Sequence, residues 1–514
     1  MALFRSIATV GGFTMLSRML GFARDILVAA ILGAGPVADA FFIAFKFPNV
    51  FRRLFAEGAF NAAFVPLFAG TMESEGEGAA KRFAEHAFAF LFWILLVLLV
   101  VMEISMPWAM QIFAPGFMSE PDKFNLAVDL TRITFPYLLF ISLVSLMAGV
   151  LNSLNKFAAA AATPVLLNIC LIGAILGLTP YLETPGHALA WGVFSAGIVQ
   201  FAWLFYNCAK YNMFLKLGLP KWGEDVKLMV MRIIPGAIGA GIYQVNLLVD
   251  MIIATLLPTG SISFLFYADR INQLPLGVVG VAVGTALLPM LSRQLRGGDE
   301  AAAMNSLNRA LEFSIFLTLP AAVAYMVIAD PIVSVLFERK EFSSTDSQAT
   351  SAALFVYAFG LPAYVLNKAL TPGFFARGDT KTPMIIAGVC MIVNIGFNLI
   401  LMGPFLHVGL AIATVISAWT NTVLLAWVLY KRGYFVLDTR LKSRSWRIIV
   451  AASIMGAVLY GLNILVADWI NGIQSMRIAG LLSLVFAGLL SYFVSAQLVG
   501  AARLSDVRSM VKRS

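Results

Sequence analysis

Arg18, Arg24, Lys46, Arg52, Arg53, Arg132, Arg270 and Lys368 all fall inside apolar stretches of this sequence. A charge at the centre of a bilayer costs at least about 2.5–3.5 kcal/mol, so such residues face a watery cavity, pair with one another, or snorkel to the headgroups. Arg132, Lys368 and the acidic Glu103 lie near stretch ends, where snorkelling suffices, while Arg53 and Glu57 divide between the inner face and local pairing. Arg18 and Arg24 are deeper. Counted back from the break at 34–36 with a rise of 1.5 Å per residue, they sit roughly 20 and 12 Å in. Arg52 falls near the middle of the next stretch, and Arg270 matches Arg24 in depth from a later one. Local pairing, of Arg24 with Asp25 or Asp39 and of Arg270 with Asp269, accounts for any single arginine. It fails for the group, because Arg18, Arg24, Lys46, Arg52 and Arg270 outnumber those carboxylates. Surplus buried cations require water or an anion, and the planar arginine fork suits phosphate or carboxylate. The expected chemistry is anion recognition in a cationic cavity.

A second polar group reads two ways. Asp250, Asn394, Asn398 and Thr414 all fall in the outer third of their stretches. Oxygen ligands at one depth suit a small cation such as sodium, weakly held because only one is a carboxylate. The other reading is interhelical hydrogen bonding, common for Asn and Thr in membrane bundles. The sequence holds no catalytic grouping: His86, His187 and His407 stand apart without an HExxH, and there is no P-loop and no GxSxG. Cys170, Cys208 and Cys390 supply neither a disulfide framework nor a metal spacing. The expectation is a transporter, not an enzyme.

The elements that must carry these residues follow from composition. The chain has 514 residues, 60% hydrophobic and 12% charged, against about 25% charged in soluble domains. Its apolar blocks run far beyond the roughly 10 residues of a barrel strand and lack in–out alternation. An all-α polytopic membrane protein is expected, with fourteen transmembrane helices near 8–32, 40–70, 84–110, 127–152, 159–179, 187–208, 233–257, 262–291, 310–330, 350–372, 384–403, 408–430, 446–466 and 478–501. With the N-terminus inside, the outer loops hold only Lys123, Arg339, Lys340 and Arg477, while the inner segments collect most of the Lys and Arg, including Lys216, Lys221, Arg293, Arg440, Lys442, Arg444, Arg503 and Arg508. Both termini are therefore expected in the cytoplasm. The net charge of +9 is then mostly topology and implies no nucleic-acid partner. Residues 1–32 carry Arg18, Arg24 and Asp25 where a signal peptide should be bare, so no cleavable leader is expected.

Short strings recur at an offset of roughly 220 residues: AAFVPLFAG around Pro66 with GTALLPMLS around Pro289, TFPYLLF with GLPAYVL, ATPVLLNI with KTPMIIAG, and Lys46 with Arg270. The repeat suggests two six-helix lobes, 1–210 and 211–432, related about an axis along the membrane normal. A basic linker and two last helices follow in 433–514.

The strings SRMLGFARDILVA (17–29), LGAGPVADAFFIAFKFPNVFRRLFAEGAFNAAFVP (32–66), YADRINQLPLGVVGVAVGTALLP (267–289) and PGFFARGDTKTP (372–383) resemble the MurJ/MviN lipid II flippase family. The resemblance implies a fold of the multidrug/oligosaccharidyl-lipid/polysaccharide exporter superfamily, with two lobes around a cationic cavity and a hydrophobic groove from the last two helices. It implies movement of lipid II from the inner to the outer leaflet of the bacterial inner membrane for peptidoglycan synthesis. The implied substrate site comprises Arg18, Arg24, Asp39, Arg52 and Arg270, with Ser17, Asp25, Lys46 and Glu57 nearby. Some relatives bind sodium, and Asp250, Asn394, Asn398, Leu410 (by its carbonyl) and Thr414 fall on those positions. Asn398 stands where a sodium-binding relative would carry a second carboxylate. Implied partners are lipid II and membrane lipids, with other cell-wall synthesis proteins as further candidates. The rival readings are a flippase for another polyprenyl-linked glycan and a cation-coupled drug exporter of the same superfamily, which would want an acidic cavity.

Overall fold

A backbone in lipid must satisfy its N–H and C=O groups internally, which favours uninterrupted helices. The computed structural model of the protein describes residues 2–53, 59–220 and 222–501; Glu57, Lys221, Arg503 and Arg508 lie outside them. Among the described residues the regular structure is helical, without an extended strand. They include nine helices long and apolar enough to cross a membrane.

Two compact units divide the chain, residues 1–263 with 340–342 and residues 264–339 with 343–514. The first unit opens with α1 (Ala2–Leu32) and α2 (Pro36–Arg52). Between them Gly33 adopts φ +63°, and a Cβ there would lie 2.4 Å from the Glu341 carbonyl oxygen, so only glycine fits. Pro36 then starts α2, where its missing N–H costs nothing. There follow α3 (Ala59–Glu75), α4 (Glu77–Phe113), α5 (Pro121–Thr134), α6 (Tyr137–Ser153), α7 (Phe157–Gly177), α8 (Pro185–Lys210) and α9 (Glu224–Thr255). Helix α1 packs on α7, α7 and α6 on α8, α2 on α5, and α3 and α4 on α9. Small residues let α8 approach closely: a Cβ on Gly192 would meet the Ala174 methyl at 2.8 Å. Phe47, Phe113 and Phe135 tie α2 to α4 and to the turn before α6, with Phe47 4.9 and 5.6 Å from the other two rings.

The second unit takes over within α10 (Ser261–Pro275), which a π-turn at Leu276–Gly280 separates from α11 (Val281–Arg296). Helices α12 (Glu300–Phe337), α13 (Ser344–Phe375) and α14 (Lys381–Lys431) pack in sequence, around a core that includes Val279, Leu287, Leu307, Phe374 and Leu429. Ser343 and Asp346 form a reciprocal capping box at the start of α13. Helices α15 (Thr439–Leu465), α16 (Ala467–Ile470) and α17 (Gln474–Leu498) complete the unit. They are held to α12 by the Tyr492 hydroxyl, which donates to the Phe316 carbonyl at 2.6 Å, and by Arg444 on Glu312 at 2.7 Å.

Several boundaries differ from those expected on hydropathy. The described residues of the stretch 40–70 lie on α2 and α3, and 262–291 is interrupted by the π-turn. The stretches 384–403 and 408–430 are the two limbs of α14, divided where Leu406 leaves helical geometry (φ 50°, ψ −131°) just after Pro404.

Candidate functional site

Helix α1 carries Arg24 and Asp25 side by side, both buried. Burial of the two charges calls for each to be matched. The Arg24 Nη2 and Nε donate to Asp25 Oδ1 at 2.6 and 3.0 Å, and Nη1 donates to Asn168 Oδ1 on α7 at 2.9 Å. Asn168 in turn donates from Nδ2 to the Ser17 carbonyl at 3.0 Å. The guanidinium is thus aimed by two helices. Of the two partners considered for Arg24, the structure selects Asp25. Sequence reasoning missed Asn168, because one Asn in an apolar helix carries no charge signal.

The remaining cations are placed differently. Arg18 on α1 and Lys46 on α2 are exposed, and Arg52 is half-buried, with its Nε on Asn49 Oδ1 at 3.1 Å. Arg24 is therefore the only buried member of the predicted cationic group in the first unit. An exposed cation on a membrane helix needs a face that water or an anion reaches. In the second unit Arg270 is half-buried and lies over the Phe266 ring at 5.1 Å, while Gln273 donates to Asp269.

Asp39 belongs to a separate arrangement in the first unit. Its Oδ2 accepts the Gly260 amide at 2.7 Å and the Lys123 ammonium at 3.2 Å. Its Oδ1 accepts the amide and hydroxyl of Ser263 at 3.0 and 2.7 Å. A carboxylate from α2 thus caps the N-terminus of α10, where free amides and the helix dipole favour negative charge. Lys123, counted in the sequence among the outer loop charges, is 4% exposed. Nothing in the sequence signals its burial, since Asp39 and Thr259 lie far along the chain.

In the polar group read as a sodium site, Asn398 Nδ2 donates to Asn394 Oδ1 at 3.0 Å, and the Thr414 hydroxyl donates to the Leu410 carbonyl at 2.9 Å. All four residues lie on α14 in the second unit, whereas Asp250 lies in the first, accepting from Asn246 at 3.2 Å. Among the described residues no three His, Cys, Asp or Glu side chains gather as metal ligands. The α14 oxygens offer neutral donors only.

An all-helical, span-rich membrane protein with buried ion pairs is the class that fold and site define. The family model described as lipid II flippase MurJ matches residues 28–480. A Rhizobium meliloti protein described as "probable lipid II flippase MurJ" is 46% identical over 100% of this chain and 97% of its own. The lipid II flippase MurJ of Burkholderia cenocepacia is 38% identical, over 85% of each chain. Among solved structures, a lipid II flippase MurJ in an inward closed conformation superposes with a TM-score of 0.78 at 26% identity, covering 95% of this chain and 98% of that one. An inward-facing multidrug transporter of the MATE family shares the fold alone, with a TM-score of 0.68 at 15% identity over 83% of this chain and 98% of that one. The chain belongs to the MurJ lipid II flippase family.

Proposed function

We propose that this protein moves lipid II, an undecaprenyl-pyrophosphate-linked disaccharide-pentapeptide, from the inner to the outer leaflet of the bacterial cytoplasmic membrane. The observation that carries the reading is full-length likeness to a relative named as a lipid II flippase. The headgroup is large, hydrophilic and anionic at its pyrophosphate, so it needs a wide, wet, cationic passage. The roughly 55-carbon tail never has to leave lipid, and at about 0.8 kcal/mol per buried CH2 it has strong reason to stay there.

In this reading fourteen helices span the membrane with both termini in the cytoplasm. Two six-helix lobes, 1–210 and 211–432, alternate between inward and outward access, and the helices of 433–514 flank the tail. Arg18, Arg24, Arg52 and Arg270, with Lys46, meet the pyrophosphate, and Asp25 keeps Arg24 extended toward Asn168. A bidentate guanidinium matches two phosphate oxygens, which lysine cannot do. Other cell-wall synthesis proteins are partners under this reading, which co-purification under mild detergent would test. Cells whose sole copy carries Arg270→Ala should stop growing while the variant accumulates in the membrane. Normal growth would overturn the assignment.

Sodium as coupling ion at Asp250, Asn394, Asn398, Leu410 and Thr414 is the reading least favoured here, because Asn398 and Thr414 already spend their donors on oxygens of the same set. Transport that is unchanged when sodium is replaced by choline would remove it. Cations among the predicted site residues also argue against a cation-drug exporter, whereas another polyprenyl-linked glycan remains a rival that competition with lipid II would separate.

A further inference from the structure

We propose that Lys123 is the positioning residue of a releasable clasp, which fastens residues 259–263 to α2 and α5 and opens in each transport cycle. The proposal rests on the flippase reading. In a chain whose positive charges are read as inner, a basic residue in an outer connection calls for a reason, and burial supplies one. The Lys123 ammonium meets Asp39 Oδ2 at 3.2 Å, the Thr259 hydroxyl at 2.8 Å, Glu120 Oε1 at 3.9 Å and the Phe117 ring at 4.4 Å. Asp39 is 1% exposed, and a carboxylate so deep is tolerated only when paired and hydrogen-bonded. Lys123 supplies the pairing through one bond to Oδ2, and Asp39 keeps its other acceptor sites for the amides of Gly260 and Ser263 and the Ser263 hydroxyl. The lysine therefore acts through Asp39 on the start of α10.

The contacts suit a device that opens. Thr259 also donates to Glu120 Oε1 at 3.1 Å, and the Glu120 side chain is half exposed, so water has an entry to the cluster. The segment itself is short, with Ile262 as its buried apolar anchor, Leu257 buried just before it, and Gly260 at φ +95° as its bend. It is also where the chain leaves the first unit, at Ser263. Directly alongside, Gly116 lies so near the end of α9 that a Cβ would stand 1.9 Å from the Thr255 carbonyl oxygen. One wall is rigid and close-packed; the other is held by polar bonds that water can replace.

The test is amide hydrogen exchange by mass spectrometry on the full chain in lipid nanodiscs, beside transport of fluorescent lipid II in proteoliposomes. The amides of Gly260 and Ser263 report the clasp directly. Lys123→Met should speed exchange across 259–263 by roughly tenfold with α7 and α8 unchanged, and should slow transport, whereas Lys123→Arg should restore both. The double variant Lys123→Met/Asp39→Asn leaves no charge buried alone; it should fold and still exchange fast there. With lipid II added, wild-type exchange at 259–263 should rise by roughly twofold or more as the clasp cycles. Wild-type protection in Lys123→Met, equal loosening of α7 and α8, or no response to lipid II would each overturn the proposal. Absence of lipid II transport by the wild type would sink the flippase reading instead, leaving the exchange result of the variants to stand by itself.

Discussion

The Arg24 guanidinium is shared between a carboxylate on its own helix and an amide on α7, and the two partners do different work. Asp25 neutralises; Asn168 aims. Breaking the ion pair by Arg24→Ala would take its cation from the buried Asp25, at a cost of about 3–5 kcal/mol, and would confuse loss of function with loss of fold. Asn168→Leu is cleaner. Hydrogen bonds between membrane helices average about 0.6 kcal/mol, so this variant should keep its thermal stability nearly unchanged in detergent while lipid II transport falls severalfold. Unimpaired transport would make Asn168 a packing residue only. The charged residues here were legible in the sequence because a charge in an apolar stretch is conspicuous. Asn168 and Lys123 were not. Asn168 is neutral, Lys123 has the spacing of an ordinary loop charge, and both find partners only through the fold.

At the scale of elements, close approach and capping decide what may change. Gly116→Ala would drive a methyl into the Thr255 backbone, which cannot yield, whereas a Cβ at Gly35 meets nothing within 4 Å. Gly116→Ala should therefore reduce the yield of folded protein sharply and Gly35→Ala should not, as size-exclusion profiles from membranes would report. Another cap lies between α13 and α14, where Asp379 accepts the Thr382 amide at 2.9 Å, its hydroxyl at 2.6 Å and Arg432 at 2.5 Å. The Thr382 hydroxyl and amide, then the Arg432 guanidinium, hold the Asp379 carboxyl down at about 2, below its usual 3.8. Its contribution to stability is full above 3.8 and is lost as the pH falls through about 2. Asp379→Ala should thus lower neutral-pH stability by about 1 kcal/mol, with the two melting curves converging in strong acid. The apolar stretches themselves were readable from hydropathy, and the Gly403–Pro404 break marked the division of α14. The π-turn after Pro275 was not readable, because a shift of one hydrogen-bond register leaves the hydropathy pattern intact.

For the whole molecule, the sequence carried the all-helical class and the family resemblance; the described residues and a solved MurJ structure bear out the first, and full-length relatives the second. Hydropathy says which segments are helical but not how tightly each packs on the others, which is why the division at Ser263 had no signature in the string. The central claim is that a pyrophosphate-linked lipid is recognised by the arginines of α1 and α10. Native mass spectrometry tests it most directly, comparing lipid II with phosphatidylglycerol and undecaprenyl phosphate on the wild type and on Arg24→Gln/Asp25→Asn/Arg270→Gln. Asp25→Asn is included so that no carboxylate is left buried without its cation. Selective binding of lipid II by the wild type, lost in the triple variant, is the predicted result. Equal binding by both proteins would contradict the account and place recognition elsewhere.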